Sequence, residues 1–152
     1  MGLRRCAIRA SGIMKVSARV DNSFREHVVT LTTNDQTRGL AVAPRADGVG
    51  SSANGGELLC LALATCYCND VYREAKKRGI EVQRVEAEVE GTFGAEGAPA
   101  ERFAYRARVS ARASRQRIIE LMQHTDSVAE IQNTVRRSCP VLLTEMEAHE
   151  TV

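Results

Sequence analysis

The sequence predicts an α+β fold of antiparallel strands with two main helical regions. Three observations predict it. The N-terminal part holds short β-branched segments separated by turn residues. A long apolar run then follows a helix-start pattern. After it come two strictly alternating segments whose outer faces carry opposite charge. Strands, a buried helix, strands, a helix and a last strand in that order describe segregated α and β layers rather than a βαβ repeat.

The elements can be taken in order. Val16, Ala18 and Val20 alternate with polar neighbours over residues 13–20. Val28-Val29-Thr30-Leu31-Thr32-Thr33 is β-branched, Asn34-Asp35-Gln36 supplies turn chemistry, and Arg38 to Ala43 returns, so this part reads as an antiparallel hairpin. Pro44 to Gly50 is a loop. Asn54-Gly55-Gly56-Glu57 is a capping-box pattern just ahead of the run from Leu58 to Tyr67, in which nearly every residue is apolar. A helix that is apolar all round is expected to be buried all round. Past Asn69-Asp70 it turns amphipathic. Lys76, Lys77 and Arg78 suit the negative end of its dipole, and Gly79 stops it.

Val85, Ala87 and Val89 then alternate with Glu86, Glu88 and Glu90, and Tyr105, Ala107 and Val109 with Arg106 and Arg108. Antiparallel pairing sets these charges opposite one another, as a solvated and mutually paired face rather than a binding surface. A second helical region starts near Ser114 and carries Ile118, Ile119, Leu121 and Met122 on one face. His124 to Ser127 is expected to interrupt it and cap a continuation through Val128, Ile131 and Val135, which Pro140 ends. Val141 to Met146 is expected to form a final strand. Residues 1–13 read as a flexible extension and 14–152 as a single domain.

Composition excludes several classes of function. With 21 basic and 19 acidic residues among 152, the net charge of +2 makes no case for a nucleic-acid or membrane partner. Aromatics are few and Trp is absent, so base-stacking platforms are not expected. The basic start is too often interrupted by Arg to be a signal peptide, and no run approaches a spanning helix. A cytoplasmic protein is expected. In that reducing setting the five cysteines argue against a disulfide framework. There is no Cys-x-x-Cys, and His27, His124 and His149 are scattered, so no metal site is expected.

The cysteines are the candidates for chemistry. Cys6 reads as an inert exposed thiol and Cys60 as apolar filler; Cys68 reads as filler too. Cys66 and Cys139 each fall on helical regions that should share one core. A peroxide-reducing thiol needs a lowered pKa, a cation or donors that favour the thiolate and polarise the O–O bond, and a second thiol to resolve the sulfenic acid.

The stretch Asn54-Gly55-Gly56-Glu57-Leu58, followed by a small-residue run into Cys66, resembles the helix start of the OsmC/Ohr family (osmotically inducible protein C and organic hydroperoxide resistance proteins). Ser138-Cys139-Pro140-Val141 resembles that family's second cysteine, and Thr125 to Ile131 looks like a less-studied OsmC-like branch. The resemblance spans about residues 14–148. It implies an intertwined homodimer with central helices and two active sites at the interface. It implies reduction of organic hydroperoxides by a cysteine pair, with an external dithiol as reductant and no bound cofactor. Carried over by position, Cys66 is peroxidatic and Cys139 resolving. Phe24-Arg25-Glu26-His27-Val28 resembles the place of the family's assisting arginine, which makes Arg25 the candidate; the alternative is a plain turn residue. Gly56 stands where the family has the glutamate that holds this arginine. Glu57 falls on the next, more variable position and either reaches an arginine or only caps the helix.

Two functions of different kinds follow. One is a thiol-dependent hydroperoxide reductase acting in oxidative-stress defence. The other is the same dimer binding a small apolar or electrophilic ligand without turnover, a reading prompted by Gly56.

Overall fold

A computed structural model of the chain describes residues 13–148. The chain divides between Asn54 and Gly55 into two compact units. Cys6, His149 and nearly all of the expected N-terminal extension lie outside the described residues.

The first unit is a three-stranded antiparallel sheet in the order β1 (Val16–Ser23), β2 (Glu26–Thr33) and β3 (Gln36–Leu40). Its β-branched rows supply the pleated surface that strands favour. β3 starts and ends earlier than the sequence suggests. Asn34 adopts φ 52°, so a two-residue turn reverses the chain and pairing resumes at once with Thr33↔Gln36. The Asn34 side chain closes this end by accepting from the Lys15 amide at 3.1 Å. At the other end Phe24 and Arg25 form the β1–β2 turn.

The second unit holds α1 (Gly55–Lys77), the hairpin β4 (Glu81–Phe93) and β5 (Ala100–Arg112), α2 (Arg115–Val128) and α3 (Glu130–Arg136). The α+β class is as expected. α1 ends where Gly79 predicts. With Gly79 at φ 63°, its amide reaches the Lys76 carbonyl and the Ile80 amide reaches back to the Ala75 carbonyl at 3.0 Å. Ile80 and Ala75, the residues flanking this stop, are both buried, so the cap also nucleates core.

The hairpin bears out the charge argument. Glu86 pairs with Arg108, Glu88 with Arg106 and Glu81 with Arg112 across the strands. The ion pairs measure 2.7, 2.8 and 3.5 Å. All are exposed, so each adds at most about 1 kcal/mol. The opposite face sets Val85 against Val109 and Ala87 against Ala107, and packs on the helices. Gly91 pairs with Phe103, whose ring would lie 2.7 Å from a Cβ placed there, so a larger residue would have to displace the ring.

Tyr67, Val71, Ala75, Ile80 and Leu121 form the core between α1, α2 and the hairpin. Leu121 has no exposed surface. Leu121→Ala should cost about 2–5 kcal/mol by opening a cavity at this crossing point; urea denaturation followed by helical circular dichroism measures it.

Three expectations need correction. α1 is not buried on all sides. Its C-terminal half is packed, but Leu61 is 53% exposed and Ala62 and Thr65 are open as well. The remaining elements of the second unit cover one face of the helix, and a single chain leaves the other apolar face uncovered. The break in the second helical region falls at Ala129, not at His124 to Ser127. Thr125 and Ser127 do not cap a new helix there; their hydroxyls fold back onto the carbonyls of Leu121 and His124 at 2.8 and 2.6 Å. The end of α2 is instead held by α3, whose Asn133 and Arg136 side chains donate to the carbonyls of Ser127 and Asp126. Finally, Val141 to Met146 forms no strand. It pairs with no other strand among the described residues, and Val141, Leu142, Leu143 and Met146 are all exposed.

Candidate functional site around Cys66

Cys66 lies midway along α1 and is partly buried. One helical turn on, Asp70 faces the same way, because residues four apart are neighbours on a helix. The Cys66 thiol donates to Asp70 Oδ2 at 3.4 Å. The other Asp70 oxygen is held by Arg73 Nη1 at 2.8 Å. Arg73 joins three carboxylates: its Nη1 also donates to Glu130 at 3.0 and 3.2 Å, and its Nε donates to Glu74 at 2.9 Å. Glu74, nearly fully buried, also accepts from Lys77 at 2.7 Å and meets His124 at 3.3 Å.

The first turn of α3 closes over this row. The Ile131 backbone amide is near enough to Cys66 to favour its thiolate. Gln132 fixes the turn in place by donating to the Leu63 carbonyl of α1 at 2.9 Å. The break at Ala129 is what lets α3 turn its first residues towards Cys66.

The electrostatics hold Cys66 as a thiol. Burial pushes its pKa up, the Ile131 amide opposes this, and the Asp70 and Glu130 carboxylates push it up further. Burial also raises Asp70, against the S–H donation from Cys66 and the charge of Arg73. Glu130 is lowered, since Arg73 and its own amide outweigh burial. Glu74 is lowered to about 2 by Lys77 and Arg73, again against burial.

The other candidates stand as follows. Cys139 is exposed, on the segment that follows α3. It lines a surface depression with Glu130, Asn133 and Arg137. A Glu130 oxygen in turn lies within 4.8 Å of Cys66 Sγ, so Glu130 borders both thiols. Glu57 is in the first turn of α1 and exposed. Nine residues separate it from Cys66, which is about 13 Å along the axis and half a turn round, so within one helix the two face apart. Arg25 is in the first unit. It adopts φ 62°, its amide donates to the Gly48 carbonyl at 2.8 Å, and its guanidinium lies over the Phe24 ring at 5.1 Å. Cys60 and Cys68 are partly buried, and burial raises Cys68.

Asp70, Arg73 and Glu130 are the site residues that sequence reasoning missed. The first two were detectable: Cys66, Asp70 and Arg73 are spaced four and three apart, as one face of α1 requires. Glu130 carried no such signal, because its approach depends on the break at Ala129. Cys66, Asp70 and Glu130 are also the donors that could hold a metal ion, with ligand atoms within 4.8 Å of one another. Both carboxylates are already engaged by Arg73, and no histidine joins the set.

A family model for OsmC-like proteins matches residues 48–144, more than half of the chain and all of this site. The chain belongs to the OsmC-like protein family. Among solved structures it is similar to an OsmC-like protein from Mycoplasma pneumoniae, at 16% identity and a TM-score of 0.57, covering 85% of this chain and 91% of that one. It is also similar to an OsmC-like protein of unknown function from Vibrio cholerae, at 15% identity and a TM-score of 0.55, covering 80% and 94%. These likenesses establish the OsmC fold. A comparison with curated proteins finds no match. No described helix of this OsmC-like chain is long and apolar enough to cross a membrane.

Proposed function

We propose that this OsmC-like protein is a thiol-dependent reductase of organic hydroperoxides, with Cys66 as the attacking thiol and Cys139 as the resolving one. The observation that carries the reading is the surrounding of Cys66. A cysteine that served only as core filler would sit among apolar atoms. This one has a carboxylate acceptor in Asp70 and, beyond it, the guanidinium of Arg73. Cys66 attacks the peroxide and becomes a sulfenic acid, Cys139 closes a disulfide with it, and an external dithiol restores both thiols. The cytoplasm, where such dithiols are kept reduced, is the fitting compartment. Arg25 is the candidate for a further cation beside the thiolate, and Glu57 for a group that holds it.

The working form is a homodimer. The apolar face that α1 leaves open, centred on Leu61, is the natural seat of a second copy, and so are the exposed apolar side chains after Pro140. Leu61→Glu should shift the protein from dimer to monomer in sedimentation and lower its thermal midpoint. A variant that stays dimeric with an unchanged midpoint puts the interface elsewhere.

The test of the function is consumption of cumene or tert-butyl hydroperoxide with dithiothreitol as reductant. Turnover well above that of the dithiol alone is expected. Its absence rejects the reading. A second reading, ligand binding without turnover, is favoured by one observation: burial and two carboxylates raise the Cys66 pKa instead of lowering it. An apolar groove of about 520 Å³, lined by Leu59, Leu63, Val89, Phe93, Phe103 and Val135 among others, offers it a seat. Under this reading Cys66→Ser leaves ligand binding intact.

A further inference from the structure

We infer that Asp70 is the catalytic proton carrier of Cys66, taking the thiol proton as the sulfur attacks and returning it to the leaving oxygen, with Arg73 as the residue that positions it. The inference rests on the hydroperoxide-reductase reading and adds a residue to its chemistry.

The geometry divides the Asp70 carboxylate into two functions. Oδ2 accepts from Cys66 Sγ at 3.4 Å, while Oδ1 is held by Arg73 at 2.8 Å. Asp70 is almost fully buried, whereas Cys66 is only partly so. The acceptor is therefore largely shielded from water, while Cys66 keeps some exposed surface. A buried carboxylate with nothing but a thiol to face would be costly. Arg73 removes that cost and fixes the carboxylate plane. Arg73 is itself fixed by Glu74 on its own helix and by Glu130 from α3, so its orientation does not depend on Asp70 alone. The Ile131 backbone amide favours negative charge on the sulfur, in the direction that the attack needs.

The Cys66 S–H bond breaks and its proton passes to Asp70 Oδ2. The sulfur lone pair forms an S–O bond with the distal, hydroxyl-bearing oxygen of the hydroperoxide. The O–O bond breaks and both its electrons leave on the alkoxide oxygen. Asp70 then gives its proton to that alkoxide, which departs as an alcohol. Sulfur is oxidised by two electrons to the sulfenic acid, the peroxide is reduced by two, and Asp70 ends as it began. Two protonation states of one residue thus do the work that a preformed thiolate and a separate acid would otherwise share. Burial raises the Asp70 pKa, which makes its carboxylate a better acceptor for the thiol proton.

Asp70→Asn separates this role from a structural one. The amide keeps the shape and can still face Cys66, but it cannot carry the proton. It also removes a negative charge beside the sulfur, which favours the thiolate. Hydroperoxide turnover should fall about a hundredfold, while Cys66 alkylation by iodoacetamide at neutral pH stays the same or speeds up. Asp70→Glu, which restores a carboxylate, should recover part of the turnover, and thermal melting of both variants confirms that they are folded. Turnover in Asp70→Asn within threefold of the parent protein would overturn the inference and leave the reductase reading standing. Turnover and alkylation falling together, without recovery in Asp70→Glu, would reduce Asp70 to a structural residue. A parent protein that consumes no hydroperoxide defeats the reductase reading and this inference with it.

Discussion

Cys66→Ser should abolish hydroperoxide consumption altogether, while Cys139→Ser should leave the first turnover intact and stop the later ones. Serine fits the site and can still donate to Asp70, so the fold is expected to survive. What it lacks is a nucleophile soft enough to attack a peroxide oxygen and to be restored by a dithiol. Cys139→Ser retains the attacking thiol and Asp70. One equivalent of peroxide should therefore be consumed at the normal rate, after which the sulfenic acid has no partner and becomes open to further oxidation. Single-turnover measurements with stoichiometric hydroperoxide distinguish the two variants. If Cys66→Ser retained the rate and Cys139→Ser lost it at the first turnover, the two roles assigned here would have to be exchanged.

Glu74→Gln should destabilise the protein by on the order of 2–3 kcal/mol at pH 7. Glu74 is nearly fully buried and takes donations from Arg73 and Lys77 as well as facing His124. Those partners lower its pKa from 4.5 to about 2. The folded state therefore holds its proton more weakly than the unfolded chain does. The stabilisation is full above the unfolded value of about 4.5 and is lost as the pH falls towards 2. A shift of that size corresponds to about 3 kcal/mol at 1.36 kcal/mol per unit. The difference between parent and Glu74→Gln in urea denaturation should be large at pH 7 and shrink steadily below pH 4.5. An equal offset at both ends of the range would mean that packing, not charge, is what Glu74 contributes.

Much of the architecture can be read from the chain because it rests on local rules. The Glu and Arg rows of β4 and β5 fix both the pairing and the outward face, and Gly79 marks the end of α1 by the one conformation it supplies. Where the reading failed, the deciding contact was not local. Thr125 and Ser127 look like caps in sequence, yet the end of α2 is set by Asn133 and Arg136 reaching back from α3. The exposed face of α1 and the strandless segment after Pro140 are apolar stretches that no described element covers. The site divides in the same way. Cys66 and Cys139 stand out in sequence because of the motifs around them. Asp70 and Arg73 could have been found from helical spacing. Glu130 reaches the sulfur only because the chain bends at Ala129.

Gly56, at the place where the family resemblance implies a glutamate, takes a different weight in this light. The row Cys66, Asp70, Arg73 gives the thiol an acceptor and an arginine within its own helix. A cation presented from elsewhere is then no longer the only route to reactivity. The price is a thiol held protonated at rest, its pKa raised by burial first and by Asp70 and Glu130 after it.

The most direct measurement is a peptide map after a brief pulse of one equivalent of organic hydroperoxide, with free thiols trapped by alkylation. The account predicts a disulfide joining the peptides of Cys66 and Cys139, absent before the pulse and removed by dithiothreitol. Cys66 recovered in full as the alkylated thiol would contradict it.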